Sequence, residues 1–296
     1  MNRISLIKYA VLGYITCSGF FLVWSAVLRR YTKLFFGILG SLLLVAVTLF
    51  YAFGIEPYWV RVHKVTVHDS ALAKVIGGYK IVHITDVHIT RGLGFREKQL
   101  ITKINALKPD LLFFTGDLMD SADQVPAAQE LIRSLRAKIG IFGLPGDTDR
   151  MVMDEKSFDQ AFSSAGLEMV LSKNRPVALP NGKTLWLVGR GPSSGSQAVP
   201  VVPPKVPVIM LTHSPAVFDQ AAEEGVNLVL AGDTHGGQIG IPWLVRMSRY
   251  AYRGPYMKGV FKKKGTVMSV SNGIGTKSIP VRFLCPPEIS VIEVKA

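Results

Sequence analysis

Tyr79-Lys80-Ile81-Val82-His83-Ile84-Thr85-Asp86-Val87-His88 is the stretch on which the reading of the whole chain turns. Its β-branched and apolar residues predict a buried strand, and the run stops abruptly at Asp86-x-His88. It therefore delivers a carboxylate and an imidazole from its C-terminal end, the end at which open α/β sheets build their sites. If extended geometry persists past the strand, residues two apart point to one side. One Asp-x-His pair is weak evidence alone. Four further groups of Asp and His follow it, each at the end of its own apolar run.

Upstream, Glu56–Lys74 reads as a connector that enters a first strand around Val60–Val67. Downstream, Arg96–Leu107 has helical spacing in Leu100, Ile101, Ile104 and Leu107, and Lys108-Pro109 leads into a strand, Asp110–Thr115, that ends in Gly116-Asp117. A helix near Pro126–Lys138 returns to the strand Gly140–Leu144, which ends in Pro145-Gly146-Asp147-Thr148-Asp149. Ser157–Ala165 predicts another helix, and strand-like segments follow near Glu168–Leu171 and at Thr184–Val188. Gly191–Pro207, rich in Pro, Ser and Gly, is either a lid or a plain connector. The strand Val208–Thr212 ends in His213, a helix covers Ala216–Glu224, and Val226–Ala231 ends in Gly232-Asp233-Thr234-His235. Val267–Val270 and Ile289–Val294 look like strands that close the sheet. Strands alternating with helices predict an α/β fold, its parallel or mixed sheet wrapped by helices.

The 48% hydrophobic content has a local cause. Tyr9–Leu28 and Leu34–Ile55 are uncharged apolar runs, each long enough to cross a hydrocarbon core of about 30 Å as a helix. Only Arg29-Arg30-Tyr31-Thr32-Lys33 separates them, so a transmembrane helical hairpin is expected over 1–55, then a connector over 56–77 and the main domain over 78–296. Two spans and no small-x-small cleavage pattern argue against a removed signal peptide. Arg29, Arg30 and Lys33 compete with Arg3, Lys8, Arg61 and Lys64, so the Lys/Arg balance chooses no membrane face. Cys17 and Cys285 imply no disulfide framework.

The net charge of +13 is also localised: residues 234–287 hold nine Lys/Arg and no Asp or Glu. Beside a membrane anchor this suits anionic headgroups or a phosphorylated substrate, although Lys262-Lys263-Lys264-Gly265 reads equally as a solvated turn. Trp243, Tyr250, Tyr252 and Tyr256 interleave with Arg246, Arg249 and Arg253. Elsewhere that mixture would suit single-stranded nucleic acid; here it reads as an interfacial patch or ordinary packing, and no nucleic-acid partner is expected. His83 reads as a core histidine, His63 and His68 as surface residues.

Collected in order, the strand ends offer Asp86, His88, Asp117, Asp147, Asp149, His213, Asp233 and His235. Oxygen and imidazole donors from several strand ends are what a centre of two divalent ions requires. The pattern resembles that of the calcineurin-like metallophosphoesterases: Asp-x-His, Gly-Asp, Gly-Asn-His-Asp/Glu, a lone His, and Gly-His-x-His. The counterparts here are Asp86-Val87-His88, Gly116-Asp117, Gly146-Asp147-Thr148-Asp149, His213 and Gly232-Asp233-Thr234-His235. Gly236-Gly237-Gln238, Gly273-Ile274-Gly275-Thr276 and Pro286-Pro287-Glu288-Ile289 look like the membrane-associated bacterial branch, which includes a UDP-2,3-diacylglucosamine diphosphatase of lipid A synthesis.

The resemblance implies a layered α/β/β/α sandwich. It also implies two metal ions: Asp86, His88 and His235 on one, Asp117 as the bridge, and Asp147, His213 and Asp233 on the other. The implied chemistry is attack on phosphorus by a metal-bridged hydroxide. Asp149 would orient a neighbouring ligand or cap its turn. Three positions depart from the family pattern. Asp147 stands for an amide, Asp233 for a histidine, and Thr148 for the histidine assigned to protonating the leaving group. Oxygen donors at the first two favour Mn²⁺ or Mg²⁺ over Zn²⁺. A threonine is no acid near neutral pH, so a phosphoanhydride, whose leaving group is a weak base, fits better than an alkyl ester. Arg150 and Arg253 are the candidate substrate-binding cations. The expectation is thus a multi-pass protein of the bacterial inner membrane, its catalytic domain cytoplasmic, that hydrolyses UDP-2,3-diacylglucosamine. The alternatives are a broader membrane phosphodiesterase and a metal-binding relative without turnover.

Overall fold

The computed structural model describes residues 3–90, 92–191, 206–247 and 255–296. The chain divides into two units, Met1–Tyr51 and Ala52–Ala296. The first is a helix, α1 (Arg3–Phe50). The hairpin expected over 1–55 is not formed, because Arg29-Arg30-Tyr31-Thr32-Lys33 continues the helix. None of these five residues is the Gly or Pro that would break it, and Thr32 Oγ1 donates to the Leu28 carbonyl at 2.8 Å inside the helix. At 1.5 Å per residue α1 is about 72 Å long. Among the described residues it is the one helix long and apolar enough to cross a membrane.

The second unit contains twelve strands among the described residues. They are β1 (Arg61–His68), β2 (Ile81–Ile84), β3 (Leu111–Phe114), β4 (Gly140–Gly143), β5 (Leu167–Met169) and β6 (Asn174–Ala178), then β7 (Thr184–Arg190), β8 (Val208–Thr212), β9 (Leu228–Ala231), β10 (Gly259–Lys263), β11 (Thr266–Val270) and β12 (Glu288–Lys295). The helices α2 (Ser70–Ile76), α3 (Phe95–Leu107), α4 (Val125–Ser134), α5 (Asp147–Val152), α6 (Glu155–Ser163) and α7 (Phe218–Glu223) lie between them in sequence. The strands form two six-stranded sheets, ordered β1-β12-β2-β3-β4-β5 and β10-β11-β9-β8-β7-β6. β2 to β5 pair in parallel, as do β7, β8, β9 and β11. β12 enters between β1 and β2, parallel to the first and antiparallel to the second.

Side-chain alternation explains the layering. Ile209 and Leu211 of β8 join the large core with the residues of the first sheet, whereas Val208 and Met210 join a second core with Phe218 and Ala221 of α7. One face of the second sheet therefore meets the first sheet and the other meets a helix. Leu100 and Ile104 of α3, Leu131 and Ile132 of α4 and Phe158 and Phe162 of α6 join the large core. This is the α/β/β/α order expected. Buried on both faces, β2, β3, β8 and β9 are apolar throughout apart from His83 and Thr212.

Residues 56–77, read above as a connector, contribute β1 and α2. β6 gave no strand signal, because it contains Pro176 and buries only Val177 fully. Of Lys262-Lys263-Lys264-Gly265, the first two residues end β10 and Lys264-Gly265 is the turn of the β10–β11 hairpin, with Lys263 and Lys264 paired to Asp219 and Glu223 at 2.9 and 2.5 Å. Residues 192–205 of the expected lid or connector lie outside the described residues, as do Arg249, Tyr250, Tyr252 and Arg253.

Candidate metal centre

Five strands end at one place. β2 leads to Asp86 and His88, β3 to Asp117 and β4 to Asp147, all from the first sheet. β8 leads to His213 and β9 to Asp233 and His235, from the second. Their donor atoms fall into three triads, Asp86–His88–His235, Asp86–Asp117–His213 and Asp147–His213–Asp233, each with its atoms within 4.8 Å of one another. Asp86 and His213 are each shared by two triads, so all seven expected donors form one connected cluster. Six of them are buried and Asp147 is half-buried.

The backbone brings them there by bending. β2 stops at Ile84, so Asp86 and His88 do not owe their convergence to strand alternation. Both adopt left-handed φ, 51° and 45°, as do Asp117, Asp233 and His235 at 54°, 70° and 52°. Such residues cost about 1–2 kcal/mol each and cluster at functional sites. Close approach between the turns explains two glycines. A Cβ on Gly146 would strike the Asp117 carboxylate, and one on Gly232 would strike Asp86 and Thr85.

The imidazoles are aimed from behind. His213 Nδ1 donates to the Thr115 carbonyl at 2.8 Å, and His88 Nδ1 meets Asp120 Oδ1 at 2.8 Å, which leaves both Nε2 atoms turned to the cluster. This is how a protein orients metal-ligating histidines. His88 Nε2 lies 3.5 Å from Asp117 Oδ2 and 3.2 Å from His235 Nε2, while His213 Nε2 lies 3.4 Å from Asp117 Oδ1 and 3.7 Å from Asp233 Oδ1. Asp149 takes the Leu118, Met119 and Gly146 N–H groups at 2.9, 3.1 and 2.9 Å. It both caps α5 and ties the third motif to the second.

The electrostatics call for a cation. Burial pushes the Asp86 carboxyl up to about 6, with Asp117 and Asp233 adding to the rise. Burial also opposes ionisation of Asp117, but His213, His88 and Lys277 outweigh it and hold that carboxyl well below its ordinary value. Against its own burial, His213 is held well above the usual imidazole range by Asp117, Asp86 and Asp233. Burial and then His88 hold His235 well below it. Asp117 Oδ2 and His213 Nε2 are buried without a hydrogen-bond partner. With Nδ1 donating to Thr115, neutral His213 turns the lone pair of Nε2 to the cluster, so a metal ion fits where the carboxylates otherwise hold a proton.

Thr148 N–H donates to Asp117 Oδ1 at 2.9 Å, but its hydroxyl is buried and unpartnered. Arg150 pairs with Glu155 at 3.2 Å, so it is already engaged, and Arg253 lies outside the described residues. Sequence reasoning missed Asp120, Lys277 and Arg282, single polar residues in loops whose spacing carries no signal, and it quoted Gln238 only within the Gly236-Gly237-Gln238 motif, with no role.

Comparison with known proteins agrees with this geometry. The family model of the calcineurin-like phosphoesterases matches residues 79–237. The uncharacterized metallophosphoesterase YkuE of Bacillus subtilis is 28% identical, over 90% of this chain and 97% of its own. Phosphodiesterase YaeI of Escherichia coli is 27% identical over 80% of this chain and 89% of its own. UDP-2,3-diacylglucosamine pyrophosphatase LpxG of Chlamydia trachomatis is 24% identical over 80% and 90%. The chain belongs to the calcineurin-like phosphoesterase family and is a metal-dependent phosphoric ester or anhydride hydrolase.

Proposed function

We propose that the chain is a membrane-anchored hydrolase that cleaves the phosphoanhydride of a nucleotide-linked lipid, UDP-2,3-diacylglucosamine, to release UMP and the acylated sugar phosphate. The observation that carries this reading is the buried Thr148 hydroxyl at the position where the family places its acid. Without a proton donor there, an alkoxide leaves poorly, whereas a phosphate needs no proton to depart. The name of the LpxG relative and the apolar α1 support the same choice.

Asp86, His88 and His235 would hold one divalent ion, Asp147, His213 and Asp233 a second, with Asp117 between them. Four carboxylates favour Mn²⁺ or Mg²⁺. Such ions, when bound, activate water and offset charge on the phosphoryl oxygens. The chain's own residues do the rest. Thr115 and Asp120 fix the two imidazoles, Asp149 fixes the Asp147 turn, and the apolar strands beneath exclude water from the floor of the site. The substrate is made on the cytoplasmic side of the bacterial inner membrane, so the catalytic unit belongs there.

A second reading, a broader membrane phosphodiesterase, is favoured by the name of the YaeI relative. Purified full chain with Mn²⁺ separates them. Cleavage of UDP-2,3-diacylglucosamine but not of a nitrophenyl phosphodiester supports the first, and the reverse supports the second. Silence on both indicates a metal-binding relative without turnover. A reporter fusion that places the C-terminus outside the cytoplasm would exclude the first reading.

A further inference from the structure

Among the described residues of segment 234–287, one cation stands where no motif assigned a residue. Lys277 lies in the loop between β11 and β12, with Nζ 3.6 Å from Asp117 Oδ2. Its side chain is 26% exposed against 1% for Asp117, so it stands where the buried cluster opens to solvent. Its backbone is held from two sides. The Lys277 N–H donates to Gln238 Oε1 at 2.6 Å, and Gln238 Nε2 donates onward to the Ile279 and Val281 carbonyls at 3.1 and 3.2 Å. Arg282, wholly buried, donates to the carbonyls of Asn272, Gly273, Gly275 and Cys285. The loop that carries Lys277 is therefore built, and it is built onto the turn that carries His235.

We propose that Lys277 is a substrate-binding residue that pairs with the second phosphate of a phosphoanhydride, the one that departs. This deepens the hydrolase reading above and rests on it. An ammonium beside a cluster filled by divalent cations is repelled from it, and the anion of the substrate is the group it can then pair with. A diester presents one phosphate. A phosphoanhydride presents two, and negative charge grows on the second as its bridging P–O bond breaks. Water supplies oxygen to the attacked phosphorus, its protons pass to solvent, and the departing phosphate keeps the bridging oxygen with its electron pair. The buried Thr148 hydroxyl cannot meet that charge, and Arg150 turns Nη2 to Glu155 at 3.2 Å. Lys277 is the cation at the mouth, among the described residues, that lies within 4 Å of a donor of the cluster.

The test compares wild type, Lys277→Met and Lys277→Arg as full chains in nanodiscs with Mn²⁺. Substrates are UDP-2,3-diacylglucosamine and bis(p-nitrophenyl) phosphate, and methylenebisphosphonate and Mn²⁺ binding are titrated by calorimetry. Lys277→Met should lose roughly 10- to 100-fold in kcat/KM on the anhydride, as expected for one charge-assisted contact, and less than about threefold on the diester. Bisphosphonate affinity should fall by a similar factor while Mn²⁺ affinity holds or rises, and Lys277→Arg should recover most of the loss. Equal losses on both substrates, Mn²⁺ affinity falling in parallel, or no loss overturns the proposal. A wild type silent on the anhydride sinks the hydrolase reading itself. In that case bisphosphonate binding still decides for Lys277, since equal affinity in wild type and Lys277→Met overturns its role.

Discussion

The two halves of the donor cluster differ in composition and in burial. Asp86, His88 and His235 keep the family pattern and are all buried, whereas Asp147, His213 and Asp233 hold both ligand departures, with Asp147 only half-buried and Thr148 beside it. One half is a sealed site with two imidazoles, and the other is a harder, more open one with two carboxylates. Asp117 sits between the halves, 3.5 Å from His88 and 3.4 Å from His213.

The largest effect is expected where the halves join. Asp117→Ala, or removal of metal by EDTA, should cut turnover by about 10³-fold or more. EDTA takes away the cations that would offset charge on the phosphoryl oxygens, and Asp117→Ala takes away the carboxylate between the two sets of donors that would hold them. EDTA should also lower the melting temperature, because ions bound at about 100 times their Kd add about 2.7 kcal/mol to the folded state. An unchanged melting curve would speak against a metal centre.

If burial distinguishes the halves, His88→Ala should cost about 10²-fold in metal affinity and Asp147→Ala about 10-fold, measured by calorimetry. Equal losses would erase the distinction. Restoring the family's donors with Asp147→Asn and Asp233→His together should shift preference from Mn²⁺ toward Zn²⁺ by about 10-fold, read as the ratio of binding constants.

His83 lies behind both halves, with Nε2 2.8 Å from Thr115 Oγ1, on the residue whose carbonyl fixes His213. Burial holds its pKa down at about 3. The folded state therefore takes up its proton later than the unfolded chain does. The stability due to neutral His83 is complete above about 6.5 and is lost as pH falls toward 3, by about 2 kcal/mol at pH 5. Asp86 and Asp149, both raised to about 6, act in the opposite sense over the same range, so the test is a difference. Between pH 7 and pH 5 the denaturant stability of His83→Asn should gain about 2 kcal/mol relative to wild type. The smallest effect belongs to Arg150→Ala. Because Arg150 already pairs with Glu155, a rise in KM of about threefold or less is expected, as for a partly exposed ion pair.

The apolar strands and the Asp and His groups that end them were legible in the sequence, because burial on both faces writes itself as continuous Ile, Val, Leu and Phe. Each donor sits one to four residues past a strand, which marked the candidates, while their division into two sets came only from the resemblance to the family. What was not legible depends on contacts between distant loops. Nothing around Lys277, Gln238 or Arg282 has a period, and each acquires its place only when β9, β11 and β12 assemble. The continuity of α1 escaped for the opposite reason. Three cations marked a boundary by charge, but Arg29–Lys33 are all residues that a helix tolerates.

The position of β12 sets a schedule for making this protein. Glu288–Lys295 runs beside Arg61–His68 along its whole length and also pairs with β2, so a strand made long after β1 joins the earliest strand of the second unit to the rest. Until then β1 has no strand neighbour, because β12 is the one strand it pairs with. Without β12 that strand would be bare on the side it now shares, open to pairing with another chain.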